Sequence, residues 1–150
     1  MKNEKERFQD ENKRITEFQD EVLVRCPNCE KKALAKADYE NQKARLFCAN
    51  CGYNKEISTR TKVGGATGNW KLAAQEYVGA ALWLQYPFKN DTFWVYNYEH
   101  LSYLEQYISA TLREHKDRSH FTLLEKLPKF YHEAKNRDTL LKIIEKLKVK

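Results

Sequence analysis

Alternation of apolar and polar residues runs through the first third of the chain. EVLVRC (21–26), KALAKADYE (32–40), KARLFC (43–48) and YNKEISTRTK (53–62) are short, with β-branched or aromatic residues, and partly alternate. Each reads as a strand with one face turned to a core. Upstream, Phe8, Ile15, Phe18 and Val22 fall at spacings of 7, 3 and 4, a sparse helical stripe consistent with a short amphipathic helix or a frayed tail. The alternation stops at VGGATGN, which holds three of the five glycines and marks a break between modules.

Beyond the break, Leu82, Leu84, Tyr86 and Phe88 share one parity. Lys89-Asn90-Asp91 supplies turn residues and TFWVYN resumes, predicting an aromatic β-hairpin. The period then lengthens. In NYEHLSYLEQYISATLREH, Leu101, Leu104, Ile108 and Leu112 repeat at 3, 4 and 4, with Asn97 as N-cap candidate. After the polar KDRSH, Thr122–Leu127 predicts a turn or two of helix. Pro128 suits the start of the next, and Leu140, Leu141, Ile144 and Leu147 form the stripe of a last helix capped by Asp138.

These elements predict an α+β protein: short antiparallel strands, then an aromatic hairpin and three to four helices. The domain reading is a charged extension at 1–21, a cysteine module at 22–62, a linker at 63–79 and a hairpin-plus-helix domain at 80–150. At 150 residues there is room for one domain or two small ones. No run approaches the roughly 20 apolar residues of a membrane span. The first 21 residues carry no apolar segment fit for a secretion signal, so the expected location is the cytoplasm.

Charge is uneven. The net +6 concentrates in residues 22–62 and 118–150, each with nine basic against four acidic residues. That distribution points toward nucleic acid, with solvated lysines on helix faces as the plainer alternative. Candidate phosphate contacts are Arg25, Lys31, Lys32, Lys36, Lys43 and Arg45 around the cysteine module, and Lys135 and Arg137 before the last helix. The plainer reading of the latter two is a helix–helix turn with Asn136 or Asp138 as cap and Arg137 paired to a carboxylate.

All four cysteines, Cys26, Cys29, Cys48 and Cys51, lie in one pattern, C-x2-C-x18-C-x2-C. Two intervening residues let a tight turn aim two sulfurs at one point. Two such turns, joined by a hairpin of 18 residues, close a tetrahedral site of the structural-zinc kind. One structural Zn2+ is the expected cofactor, and iron held in similar turns stays open. Two disulfides would need an oxidising compartment. A thioredoxin-like pair would need one motif at a strand–helix junction.

CPNC and CANCGY between short strands resemble the two knuckles of a zinc ribbon of the transcription-factor-B type. The second has the family's Cys-x-x-Cys-Gly turn, whereas Glu30 stands where glycine is common in the first, which predicts a less tight turn there. ALWLQ, FWVYNYEHLSYLEQYISATLRE and AKNRD extend the resemblance, over residues 22–150, to small bacterial zinc-ribbon proteins. It implies a fold element and the four ligands, and it carries no established activity.

Nine of nineteen aromatics lie between Trp83 and Tyr107. They read first as packing for the hairpin; the other readings are a base-stacking platform and a homodimer or partner interface through Trp83 or Trp94. His100, with Glu99 and Glu105, reads as charged helix surface. No HExxH, phosphate-cradling glycine loop or nucleophile elbow occurs, and a site closed by four cysteines leaves no position for water, so the chain is read as non-enzymatic. The leading expectation is a zinc-stabilised module binding nucleic acid or joining a nucleic-acid-associated complex; the second is a protein–protein adaptor with a purely structural zinc.

Overall fold

The computed structural model describes residues 7–10, 15–63, 65–68, 71–110, 112–115 and 127–150; at 7–10, 15, 61–63 and 112–115 the description is of the backbone alone. In chain order the elements are β1 (Arg7–Asp10), a 3-10 turn at Ile15–Glu17, β2 (Glu21–Arg25), β3 (Lys32–Asp38), β4 (Lys43–Phe47), β5 (Asn54–Ser58), β6 (Thr61–Val63) and β7 (Ala66–Gly68). There follow α1 (Ala74–Val78), β8 (Gln85–Phe88), β9 (Asp91–Trp94), α2 (Tyr98–Ser109), β10 (Leu112–His115), 3-10 turns at Lys129–Tyr131 and Ala134–Asn136, and α3 (Arg137–Lys148). The chain forms two compact units, residues 18–97 and residues 1–17 with 98–150.

In the first unit, β2, β3, β4 and β5 make an antiparallel sheet in sequence order. Polarity alternates strictly in β3 and β4, so one face is buried and the other faces water. The buried face is Val22 and Val24 on β2, Ala33, Ala35 and Ala37 on β3, and Ala44 and Leu46 on β4. Alanines leave space above the sheet, and α1 fills it, packing across all four strands with Ala74, Tyr77 and Val78 buried. Tyr39 donates to the Leu72 carbonyl (2.5 Å), and the Leu72 N–H donates to the Tyr77 hydroxyl (2.8 Å), pinning the start of this helix.

The stretch 63–79, expected as a linker, therefore holds part of this unit's core. Part of it is a tight hairpin, β6 against β7, with Gly65 at φ +86° between them. α1 itself is five residues long, too short to show a helical period, and it ends on Gly79 at φ +67°.

The β8–β9 hairpin belongs to the first unit as well. The Arg25 N–H donates to the Ala81 carbonyl (2.8 Å), Trp83 N–H to Leu23 (3.0 Å) and Leu23 N–H to Tyr96 (2.8 Å). These bonds cover the outer edge of β2, which would otherwise be an open strand edge. Asn97 donates its side-chain amide to the carbonyls of Phe18 (3.0 Å) and Glu21 (2.7 Å), tying the end of the unit to its beginning. The boundary at 97/98 thus divides the region expected as one module over 80–150. Within 1–21, Phe18 and Gln19 are buried in this unit, and β1 is a strand where the apolar stripe suggested a helix.

The second unit packs α2 against α3. Leu101, Leu104 and Ile108 are buried as expected, and so are Leu140, Ile144 and Leu147. Lys148 on α3 pairs with Glu105 on α2 at 2.5 Å. The predicted helix through His115 stops at Ser109. Leu112–His115 instead pairs in parallel with Arg7–Asp10, a segment distant in sequence. Residues 129–136 form two 3-10 turns rather than one α-helix after Pro128, and Asn136, one of the two cap candidates, stands at the cap position of α3. The short helix expected at Thr122–Leu127 falls outside the described residues, apart from Leu127.

His100 departs from expectation. It is 2 % exposed, and with Tyr103 and Tyr107 it extends the buried stripe of α2 at helical spacing. Burial pushes its pKa down from 6.5 to about 3, because the imidazolium would lose its hydration. In the unfolded chain His100 takes a proton near pH 6.5 and in the folded chain it does not, so stability falls as pH drops from 6.5 toward 3. One such proton amounts to about 2 kcal/mol between pH 6.5 and 5. Denaturant unfolding at pH 7 and pH 5 should show a steeper loss for the wild type than for His100→Gln. Parallel losses would mean that His100 is not held neutral.

Candidate metal centre

Each Cys-x-x-Cys pair sits where one strand ends and the next begins. Cys26 and Cys29 lie between β2 and β3, and Cys48 and Cys51 between β4 and β5. Both turns close the same way: Glu30 N–H donates to the Cys26 carbonyl (2.9 Å) and Gly52 N–H to the Cys48 carbonyl (2.8 Å). The residue after each pair is left-handed, Gly52 at φ +80° and Glu30 at φ +65°. The first turn is therefore as tight as the second despite lacking glycine, with Glu30 in a conformation that a side chain tolerates at some cost. Its carboxylate meets Arg25 at 3.1 Å.

Antiparallel pairing of β3 with β4 brings the two turns to the same end of the sheet. The four sulfur atoms all lie within 4.8 Å of one another, and none is in a disulfide. Cys26 and Cys51 sulfurs are 3.7 Å apart and those of Cys29 and Cys48 3.5 Å. Sulfurs bound at about 2.3 Å to one tetrahedral ion lie about 3.8 Å apart, so this cluster fits a single metal ion.

The surroundings fit thiolates. Backbone N–H groups of Asn28 and Cys29 point at the Cys26 sulfur, at 3.4 and 3.5 Å. Two side chains then cross between the knuckles. The Asn28 amide donates to Cys51 and the Asn50 amide to Cys29, each at 3.4 Å. Asn50 is the main reason that the Cys29 pKa is drawn from 9.0 down to about 6, with the Lys31 backbone second. Asn28 likewise lowers Cys51. Backbone bonding from Cys51 draws Cys48 down, but burial and its hydrogen bond with Cys29 outweigh that and push it up to about 11. The two asparagines were not singled out from sequence, yet both motifs carry Asn immediately before their second cysteine.

The ribbon cations divide by place. Arg25, Lys32, Lys36, Lys43 and Arg45 all stand on the water-facing side of the sheet, since directly opposed residues share a face: Arg25 opposite Lys32, Lys36 opposite Arg45. Lys31 lies beside them in the first knuckle and is exposed. Carboxylates share the surface. Lys36 is 3.3 Å from Glu21 and Lys43 is 3.8 Å from Glu56, both highly exposed pairs. Lys135 and Arg137 belong to the other unit. Lys135 is exposed and meets Glu133 at 3.0 Å, while Arg137 opens α3, half-buried, with no acceptor for its buried Nε among the described residues.

Between Trp83 and Tyr107, Phe88, Phe93, Tyr96, Tyr103 and Tyr107 are buried; Trp83, Tyr86 and Trp94 are half-buried, and Tyr98 is exposed. Most of the aromatic cluster is packing. The exposed ring on the sheet is one that sequence reasoning passed over, Phe47 at 46 %. Its signal was present, because Phe47 shares parity with Lys43 and Arg45. No family model matches the chain, and no curated protein or solved structure matches it.

Two outcomes follow from this geometry. Cys48→Ser, or a strong chelator, should remove the metal and unfold the four-stranded sheet, seen as loss of strand signal in far-ultraviolet circular dichroism; an unchanged spectrum without bound metal would contradict the centre. Asn28→Ala and Asn50→Ala should each weaken metal retention against a chelator by about 10-fold or more. Asn41→Ala, whose side-chain amide donates to Asp38 away from the sulfurs, should not.

Proposed function

We propose that the protein is a zinc-stabilised, non-enzymatic binding module that takes nucleic acid on the outer face of its four-stranded sheet. The observation that carries this reading is the convergence of Arg25, Lys32, Lys36, Lys43 and Arg45 on one face. The sequence had scattered them over 21 residues, and strand pairing gathers them on three adjacent strands.

Zinc is favoured by the donor set. Four sulfurs in a tetrahedron suit zinc or iron, and zinc needs no redox partner. Four protein ligands occupy every tetrahedral position, which supports a structural role and leaves no place for a metal-bound water. Thiols in this number suit a reducing compartment such as the cytoplasm. With knuckle N–H groups aimed at sulfur, phosphate binding falls to lysine and arginine side chains, giving affinity without base-specific readout.

The adaptor reading has less support. A hairpin interface would draw on Trp83, Tyr86 and Trp94, each already half-buried in its own unit, while Phe88, Phe93 and Tyr96 are used in packing.

Charge reversal tests the proposal. The triple variant Lys31→Glu, Lys32→Glu, Lys36→Glu should bind a labelled oligonucleotide far more weakly than the wild type at the same metal content. Its plot of log affinity against log salt should flatten by about 0.7–0.9 for each phosphate that is no longer neutralised. Unchanged affinity and slope would exclude this face as the binding surface.

A further inference from the structure

A face built only to hold phosphates needs no apolar residues, yet this one has a row of them. Leu23 on β2, Leu34 on β3 and Phe47 on β4 stand directly opposite one another across the sheet. Leu34 is 37 % exposed and Phe47 46 %; among the described residues the other exposed large hydrophobics, Tyr98 and Val149, belong to the other unit. The row lies between two rungs that carry cations, the farther of which also holds Glu21 opposite Lys36 and Glu56 opposite Arg45. Arg25 and Lys32 form the rung on the knuckle side, and Lys36 and Arg45 part of the rung on the other, each about 7 Å away along the strands.

Arg45 is held beside Phe47. Asn54, the neighbour of Phe47 on β5, accepts from Arg45 Nε at 2.9 Å, and the Arg45 guanidinium carbon stands 5.8 Å from the Phe47 ring centroid. The arginine is thus set beside the ring as part of a built arrangement, with a cation next to an aromatic surface that water still reaches.

Resting on the nucleic-acid reading above, we infer that this face selects single strands, with an unpaired base stacked on Phe47 and the flanking phosphates on Arg25 and Lys32 to one side and Lys36 and Arg45 to the other. An aromatic ring adds affinity only for a base whose own face is open, and in a duplex those faces are covered by neighbouring pairs. Shape points the same way. Four strands span roughly 14 Å at about 4.8 Å per step, too broad a platform for a major groove about 12 Å wide. A protein partner is a poorer fit, because the apolar row is three side chains wide and rimmed by charge.

The test uses the full zinc-loaded chain and fluorescence anisotropy with a labelled single-stranded oligonucleotide, as DNA and as RNA, and the blunt duplex of the same sequence. The single strand should bind more tightly than the duplex. Phe47→Ala should weaken single-strand binding by roughly 5- to 150-fold while leaving duplex binding and the salt slope unchanged. Phe47→Trp should keep the affinity, and its added emission should be quenched by the oligonucleotide. Equal binding of both forms, with Phe47→Ala like the wild type, would overturn the stacking inference and leave the phosphate-binding face standing. No binding of any form by the wild type at low salt would overturn both.

Discussion

The approach of two cysteine turns at one end of a four-stranded sheet is the constraint on which the first unit depends. Its inner face is built largely from Ala33, Ala35, Ala37 and Ala44, with Val22, Val24 and Leu46 as the larger members. Alanines bury little area, and at about 25 cal/mol per Å2 they contribute little toward the chain entropy lost on folding. A metal ion held by the four sulfurs would supply what such a core lacks; structural zinc in small modules contributes on the order of 10–16 kcal/mol. Each knuckle is closed by its own backbone bond and then linked to the other by Asn28 and Asn50, so the centre fixes β2–β3 against β4–β5 at one end.

The rest of the unit follows from which surfaces that sheet leaves open. Small residues on the inner face admit α1 at close range, with Tyr77 meeting Tyr39 edge-on at 6.5 Å. The outer edge of β2 is closed by the stretch leading into β8 and by Tyr96 beyond β9. One broad surface, the outer face, is left to water. Its polarity is therefore unconstrained by packing, and its composition is where a binding function can be written.

Much of this was legible in the sequence, and the reasons are physical. Strict alternation in KALAKAD and KARLF revealed strands β3 and β4, because a one-residue slip would turn every alanine outward. Four cysteines at metal-ligand spacing revealed the centre. What was not legible depended on partners distant in sequence. Nothing in AQEYV by itself announces a helix; its role is set by the space above Ala35. Nothing in Leu112–His115 announces a strand, since its partner is Arg7–Asp10. His100 looked like surface because its neighbours Glu99 and Glu105 are charged, yet its place on α2 turns it inward. Cross-knuckle bonding by Asn28 and Asn50 needs both turns in place at once.

The charge pattern on the outer face also has a reason to be mixed. A sheet face carrying five cations without carboxylates would repel itself and weaken the fold that a thin core already leaves marginal. Glu21 and Glu56, paired with Lys36 and Lys43, and Glu30, paired with Arg25, offset that repulsion. Exposed pairs of this kind are worth only about 0–1 kcal/mol each, so a phosphate can take a lysine from its carboxylate at little cost. The face can thus be stable when unbound and still yield its cations to a polyanion. On the proposed reading, the apolar row between these cations would separate bound forms by something salt does not screen, the stacking of an open base on Phe47.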